Sequence, residues 1–250
     1  MGVPTLGCGC AVCTSADPRD RRLRPALLLR WIHEDCERVV VIDTGPDFRQ
    51  QALRSGLNRV DAVLYTHGHA DHIFGLDDLR PLSYTVSKEG SSIRLLASPE
   101  TAAVLERIYD YTFAPRATYM HRARVRLEPL RERFDLFGCS FVSVPLRHGN
   151  LDIVGFRFGR TAYLTDVSAI PEPSFALLEG LDCLILSALR HKPHPSHATL
   201  EQAIEWAKRI GARQTWFTHI AHELGHEETN RTLPAGIKLA YDELSFQVKI

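Results

Sequence analysis

The segment Thr66-His67-Gly68-His69-Ala70-Asp71-His72 places three histidines and an aspartate directly after the apolar run Ala62–Tyr65. The apolar run predicts a β-strand. In the extended turn that follows, alternating positions put the first two histidines and the aspartate on one side. The last histidine can point into a second site. Imidazole and carboxylate together suit zinc, manganese or iron, so the segment predicts the centre of a metal site.

One loop does not complete such a site, and further ligands must come from later in the chain. The candidates each follow a predicted strand: His148, Asp166 and His219. Loops at strand ends are where a rigid sheet presents functional groups. An aspartate can also bridge two ions about 3.5–4 Å apart, as in two-metal hydrolytic sites. Taken singly, His148 suits a surface loop, Asp166 a turn or cap and His219 a core position, but their shared placement favours metal binding.

Short apolar runs alternate with amphipathic stretches, which predicts a layered α/β domain. The predicted strands are Leu27–Ile32, Arg38–Ile42, Ala62–Tyr65, Ile93–Ala97, Cys139–Val144, Ile153–Phe158, Thr161–Leu164, Cys183–Leu186, Gln214–Phe217 and Phe246–Val248. The predicted helices are Asp47–Ser55, Pro99–Tyr109, Pro173–Leu178, His197–Ile210 and Glu223–Arg231. Because no repeat and no linker rich in Gly, Ser or Pro divides the 250 residues, we expect a single domain over residues 1–250.

Composition limits the partners that this chain can have. The formal net charge is zero, which argues against a nucleic-acid binder that uses a broad basic surface. A small anionic substrate needs only a local positive site, such as bound metal. No apolar run approaches the roughly 18–20 residues that span a bilayer, and the N-terminus lacks the pattern of a signal peptide. We therefore expect a cytoplasmic protein with no nucleic-acid or membrane partner.

The run Cys8-Gly9-Cys10-Ala11-Val12-Cys13 is a second candidate metal site. In a reducing cytosol a tight cysteine cluster indicates metal binding more than a disulfide. Three thiolates need a fourth ligand to close a structural zinc site, and His222, three residues after His219, can supply it. Reactive or redox thiols and an iron–sulfur site are the alternatives.

The order of the candidate residues resembles a known pattern. This order is Asp43 in Val41-Ile42-Asp43-Thr44-Gly45, then the His67–His72 motif, His148, Asp166 and His219. It is the pattern of the metallo-β-lactamase superfamily. The resemblance implies an αββα sandwich of two mixed β-sheets flanked by helices. It implies two divalent ions, one bound by His67, His69, His148 and Asp166, the other by Asp71, His72, Asp166 and His219. Asp43 would support these ligands without being one.

Further motifs narrow the resemblance: Gly2-Val3-Pro4, the cysteine run, Ser196-His197 and Thr218-His219-Ile220-Ala221-His222. They look like the PhnP-type phosphoribosyl cyclic phosphodiesterases of phosphonate degradation. That similarity implies hydrolysis of 5-phosphoribosyl 1,2-cyclic phosphate to ribose 1,5-bisphosphate. It also implies manganese or zinc at the paired site and one structural zinc at the thiolates. Another hydrolase of this fold, or a cofactor-biosynthesis protein like PqqB, which has a similar cysteine-rich start, is the alternative.

Three residues are the catalytic candidates. Asp71 and Asp166 would hold the ions next to the reacting atoms. His197 is predicted to open a helix, where it could donate a proton to a leaving oxygen. A helix-start histidine without a catalytic role is the alternative for His197.

Three regions leave alternatives open. Met1 directly precedes Gly2-Val3-Pro4, whereas relatives begin with a strand and a Gly-rich turn, so either the start lies upstream or the first strand is missing. The charged run from Asp17 to Pro25 is either a solvated loop or the source of an arginine that contacts substrate phosphate. The region Ser83–Arg133, with Arg116, is either a solvated surface or the substrate entrance. A homodimer also stays open.

Overall fold

The computed structural model describes residues 2–115 and 121–249, so that Arg116 lies outside the described residues. The chain divides into two compact units, one of residues 24–131 and the other of residues 1–23 and 132–250. Each unit has a mixed β-sheet, helices and its own apolar core. Among the described residues, every helix is too short or too polar to cross a membrane.

The unit of residues 24–131 contains a five-stranded sheet whose strands follow in chain order. These strands are β1 (Leu27–His33), β2 (Cys36–Ile42), β3 (Ala62–Leu64), β4 (Ile93–Ala97) and β5 (Val125–Pro129). The first pair is antiparallel and the other pairs are parallel. Parallel neighbours require crossover connections, and these contain α1 (Phe48–Arg54), α2 (Ala70–Ile73), α3 (Leu79–Lys88), α4 (Pro99–Ile108) and α5 (Asp110–Phe113).

The two central strands β2 and β3 position the first group of candidate ligands. Residues 39–42 and 62–64 are at most 3% exposed, as expected for strands that are covered on both faces. Burial of each such aliphatic side chain contributes about 1.5–3 kcal/mol. The carboxyl ends of both strands are therefore rigid, and Asp43 and Thr66 follow there.

The other unit contains a seven-stranded sheet in the order β12-β11-β10-β9-β8-β7-β6. Its strands are β6 (Arg133–Leu136), β7 (Cys139–His148), β8 (Leu151–Phe158), β9 (Thr161–Leu164), β10 (Cys183–Ser187), β11 (Gln214–Thr218) and β12 (Ile237–Leu239). Strands β6 to β9 pair antiparallel, and β9 to β12 pair parallel. The helices are α6 (Glu172–Ala176), α7 (Leu200–Ile210) and α8 (His226–Thr232).

Helix α7 fixes the loop that carries His197. Thr199 and Gln202 form a capping box at its first turn, and Gly211 ends it in the left-handed conformation, with φ of 70°. Such caps satisfy the unpaired backbone groups of a helix end. The predicted helix His197–Ile210 is thus wrong at its start, because the cap at Thr199 leaves His197 in the preceding loop.

Other boundaries also differ from the sequence prediction. The predicted strand Phe246–Val248 is wrong, since this segment has no regular structure and Phe246 stacks on Trp216. The predicted helices Pro173–Leu178 and Glu223–Arg231 are shifted to α6 and α8. The sequence prediction missed α2, α3, α5, β5, β6 and β12.

Candidate metal centre

Three polar residues that follow strand ends adopt the left-handed backbone conformation. The φ angles are 65° at Asp43, 60° at Asp166 and 52° at His219. Asp and His tolerate this region better than most residues, but it still costs of order 1 kcal/mol or more and is concentrated at functional sites. The packing around these three residues therefore offsets the cost of a backbone conformation that sets the direction of their side chains.

Asp43 organises the ligand group in the unit of residues 24–131. Its carboxylate is fully buried and accepts the Thr66 N–H at 2.9 Å and the Thr66 hydroxyl at 2.8 Å. It also accepts His72 Nδ1–H at 2.7 Å. Burial raises the pKa of Asp43, while His72 and Thr66 act to lower it. Asp43 therefore fixes the orientation of Thr66 and of His72, one of the predicted ligands, and its supporting role stays a prediction.

These bonds determine which nitrogens of the histidines can bind a cation. The single hydroxyl proton of Thr66 goes to Asp43, so the 3.0 Å contact between Thr66 Oγ1 and His67 Nδ1 requires a proton on Nδ1. The same reasoning puts the proton of His72 on Nδ1. Both rings therefore present Nε2 with a lone pair, in the way that hydrogen-bonded carboxylates orient metal-binding histidines.

His67 and His69 already face each other as two ligands of one ion would. Nε2 of His67 lies 3.1 Å from Nδ1 of His69. Two nitrogens at about 2.0–2.1 Å from a tetrahedral ion are about 3.3 Å apart. Asp71 Oδ2 lies 3.8 Å from His72 Nε2. The four predicted ligands of the motif are thus together in this unit, and their donor types fit a divalent transition metal.

The backbone around this group is tightly packed. Thr44 N–H donates to His72 O and Gly75 N–H to Thr44 O, both at 2.8 Å. A Cβ at Gly45 would lie 2.2 Å from Asp71 O, and one at Gly75 would lie 2.2 Å from Gly45 O. Only glycine allows this approach, which fixes the motif against the turn that carries Asp43.

The other unit brings His148, Asp166, His197 and His219 together. Nε2 of His219 lies 3.1 Å from Asp166 Oδ1, and Thr165 donates to the second oxygen of Asp166 at 2.7 Å. The His197 ring lies 4.6 Å from that of His148 and 4.8 Å from that of His219. His148 Nδ1–H donates to Ser196 O at 2.6 Å, which leaves Nε2 of His148 as the lone-pair nitrogen.

His197 Nδ1 is buried and has no hydrogen-bond partner among the described residues. The closest carboxylate oxygen, Asp166 Oδ1, is 3.7 Å away. Such a buried atom costs about 1–3 kcal/mol when nothing satisfies it. Burial first, and His219 next, lower the pKa of His197 to about 3, so the ring is neutral near pH 7. The cluster fits a site that is completed by an ion, water or substrate.

The predicted thiolate site also lies within this unit. Nδ1 of His222 is 3.2, 3.4 and 3.5 Å from the sulfurs of Cys8, Cys10 and Cys13. Sulfur and nitrogen ligands of one tetrahedral zinc are about 3.6 Å apart. A backbone hydrogen bond from Cys13 is the largest of several causes that lower the pKa of Cys10 to about 6, which favours its thiolate. The four donors fit a closed structural zinc site.

Three arginines of the charged run have partners within the protein. Arg22 is buried, pairs with Asp20 at 3.0 Å and donates to Leu224 O at 2.9 Å. Arg19 pairs with Asp17, and Arg24 with Asp47. These arginines anchor the chain, and Arg22 in particular is committed to a structural role.

The sequence prediction overlooked His194, whose ring lies 4.9 Å from that of His197. The sequence contains a signal for this proximity in Pro193-His194-Pro195-Ser196-His197, where the two histidines are separated by only two residues, one of them proline.

Comparisons with known proteins agree with this architecture. The model of a family described as beta-lactamase superfamily domain matches residues 38–220. A solved diphosphatase from the PhnP family is 49% identical, with a TM-score of 0.92 over 100% of this chain and 94% of that one. Zinc-bound PqqB from Methylobacterium extorquens has a TM-score of 0.73 over 99% of this chain and 96% of the other, and at 22% identity it shows the fold alone. The predicted αββα fold class is confirmed.

A longer relative matches as well. A Porphyromonas gingivalis protein named octanoyltransferase is 38% identical over 250 residues, which are 97% of this chain but 48% of the relative. The chain therefore spans about half the length of this relative.

Proposed function

Because the chain belongs to the β-lactamase superfamily and, within it, to the PhnP family, we propose that it is a metal-dependent hydrolase of phosphodiesters. The substrate to test first is 5-phosphoribosyl 1,2-cyclic phosphate, with ribose 1,5-bisphosphate as the product. A diphosphate ester is the second candidate, favoured because the 49% identical PhnP-family relative is described as a diphosphatase.

The observation that carries the proposal is the chain of contacts from Asp43 through the Thr66 hydroxyl to His67 Nδ1. Asp43, through the Thr66 hydroxyl, keeps the lone pair of His67 on Nε2, 3.1 Å from His69 Nδ1. Divalent ions supply positive charge that makes water a better nucleophile and stabilises phosphoryl oxygens. The proposed ligands are those implied by the resemblance: His67, His69, Asp71, His72, His148, Asp166 and His219. We also propose zinc for the thiolate cluster, which consists of Cys8, Cys10, Cys13 and His222.

His197 completes the proposed chemistry from its place beside Asp166. Its ring is neutral near pH 7 because its pKa is lowered to about 3. A neutral ring contributes an N–H hydrogen bond to a phosphoryl or leaving oxygen, which stabilises the charge that develops there, whereas full transfer of that proton would leave an unfavourable imidazolate. This refines the sequence prediction of a proton donor.

The first test is turnover of bis(p-nitrophenyl) phosphate by the metal-loaded protein, followed by the cyclic ribose phosphate, 2′,3′- and 3′,5′-cyclic nucleotides and a diphosphate diester. His197→Ala is expected to lower turnover about 100-fold with metal content unchanged. Metal loss in parallel with activity would contradict the proposed role of His197. Absence of turnover on every ester would refute the proposed function and favour a PqqB-like role.

A further inference from the structure

Residues 188–199 form a loop between β10 and α7 that is anchored at its base. Leu189 N–H donates to Ala198 O at 3.1 Å, and Leu200 N–H donates to Arg190 O at 3.0 Å. Ala198 N–H donates to Val167 O at 2.7 Å, which fixes the loop next to Asp166. The tip of the loop therefore projects from a base tied to the group of His148, Asp166, His197 and His219, here called the Asp166 cluster.

His194 lies in this tip with a defined ring orientation. Pro193 and Pro195 flank it, and each proline restricts the local backbone. The N–H of Ser196 donates to His194 Nδ1 at 3.3 Å. A ring nitrogen that accepts a hydrogen bond carries no proton, so the neutral ring of His194 carries its proton on Nε2.

The surroundings of His194 favour an anionic partner. The Arg190 side chain donates to the carbonyl oxygens of Lys192 and Pro193, at 3.2 and 3.3 Å, and pairs with the Glu223 carboxylate at 3.4 Å. Partial burial, followed by Arg190, lowers the pKa of His194 and keeps the ring neutral. The Nε2–H donor that this neutral ring presents is complementary to a phosphoryl oxygen, whose negative charge strengthens such a hydrogen bond.

We propose that His194 determines substrate specificity by donating Nε2–H to a second phosphoryl group, adjacent to the one that reacts beside Asp166 and His197. The 4.9 Å between the rings of His194 and His197 suits two neighbouring phosphoryl groups, as in a diphosphate ester. The inference rests on the proposed phosphoester hydrolysis and specifies the substrate class. Loss of one hydrogen bond to a charged oxygen lowers affinity about 10-fold or more.

Two substitutions separate the two nitrogens of this ring. His194→Asn keeps an acceptor near the position of Nδ1, for Ser196, and removes the Nε2–H donor. His194→Gln places an amide donor near the position of Nε2. His191→Gln is the matched control, because His191 is an exposed histidine of the same loop that contacts Glu201.

Titration calorimetry on the metal-loaded proteins compares adenosine 5′-methylenediphosphonate, with two phosphoryl groups, against AMP, with one. We expect the wild type to prefer the diphosphonate. His194→Asn should reduce that preference about 10-fold or more, His194→Gln should restore part of it, and His191→Gln should retain it. If His194 had only a structural role, its replacement would weaken the binding of both ligands equally and leave the preference unchanged.

Three outcomes overturn the inference: a wild type without the preference, an Asn variant that keeps it, or equal weakening of both ligands. If the Asn variant does not fold, the Gln variant tests the inference alone. Its amide keeps a donor near the position of Nε2, so loss of the preference for the diphosphonate in this variant would contradict the role of His194. Turnover of bis(p-nitrophenyl) phosphate by the wild type tests the proposed function separately. A retained preference without turnover refutes that function and leaves the His194 contact standing.

Discussion

The thiolate cluster and the Asp166 cluster belong to the same unit but differ in how their potential ligand atoms are arranged. In the thiolate cluster, four donor atoms lie within 4.8 Å of one another, which is the full ligand number of a structural zinc site. In the Asp166 cluster, His197 Nδ1 is buried without a partner among the described residues, and Asp166 and His219 have left-handed backbones. A closed donor set suits stability, whereas a strained and incomplete one suits reaction with a molecule from outside.

The largest expected effect comes from Asp166→Asn, which keeps the size of the side chain and removes its charge. We expect turnover of bis(p-nitrophenyl) phosphate to fall about 1000-fold, since loss of charge at a reacting centre costs about 4 kcal/mol. Zinc at the thiolates should stay, as measured by elemental analysis. Asp152→Asn is the control, because Asp152 is an exposed carboxylate. Near-normal turnover of the Asp166 variant would contradict the comparison.

Cys13→Ser tests the other half of the comparison. Removing this proposed sulfur ligand should release zinc and lower the thermal midpoint by about 10 °C, given about 3 kcal/mol for loss of a metal present at about 100 times its dissociation constant and about 3 °C per kcal/mol at this chain length. Scanning calorimetry with zinc analysis measures both. Cys36→Ser, at an exposed thiol, should change neither. Full zinc content and an unchanged midpoint in the Cys13 variant would show that this cluster is not structural.

Thr66→Val gives the smallest expected effect and extends the comparison to the Asp43 group. The substitution keeps the shape of the side chain but removes the hydroxyl between Asp43 and His67. Loss of such a supporting bond lowers metal affinity about 10-fold, measurable by competition with a chelator. Thr232→Val is the control, since Thr232 is exposed at the end of α8 and its hydroxyl donates to Thr229 O. Unchanged metal affinity in the Thr66 variant would show that the Thr66 hydroxyl does not orient His67 for metal binding.

The sequence predicted those parts of the molecule that leave a strong local pattern. Buried strands such as β3 and β10 are continuous apolar runs, and the polar residues that follow β3, β9 and β11 were identified from that placement. The three cysteines predicted their cluster with His222, which the structure brings together. The assignment of particular residues to two ions stays a prediction.

Short and partly exposed elements were missed for a physical reason. In β5 and β6 exposed positions interrupt the apolar pattern, and β12 has three residues, so periodicity cannot separate them from loops. The start of α7 depends on the reciprocal bonds of Thr199 and Gln202, a Thr-x-x-Gln signal that the sequence does contain. The proximity of His194 to the Asp166 cluster depends on the anchored loop, which no local pattern encodes.

The contact between Gly45 and Gly75 has an evolutionary consequence. Because neither position has room for a Cβ, either glycine can be replaced only if the backbone that carries it moves as well. A relative that keeps every histidine and aspartate of the motif but replaces either glycine is expected to have lost the geometry of Asp71 and His72. We therefore expect glycine at both positions in relatives whose metal motif keeps this geometry.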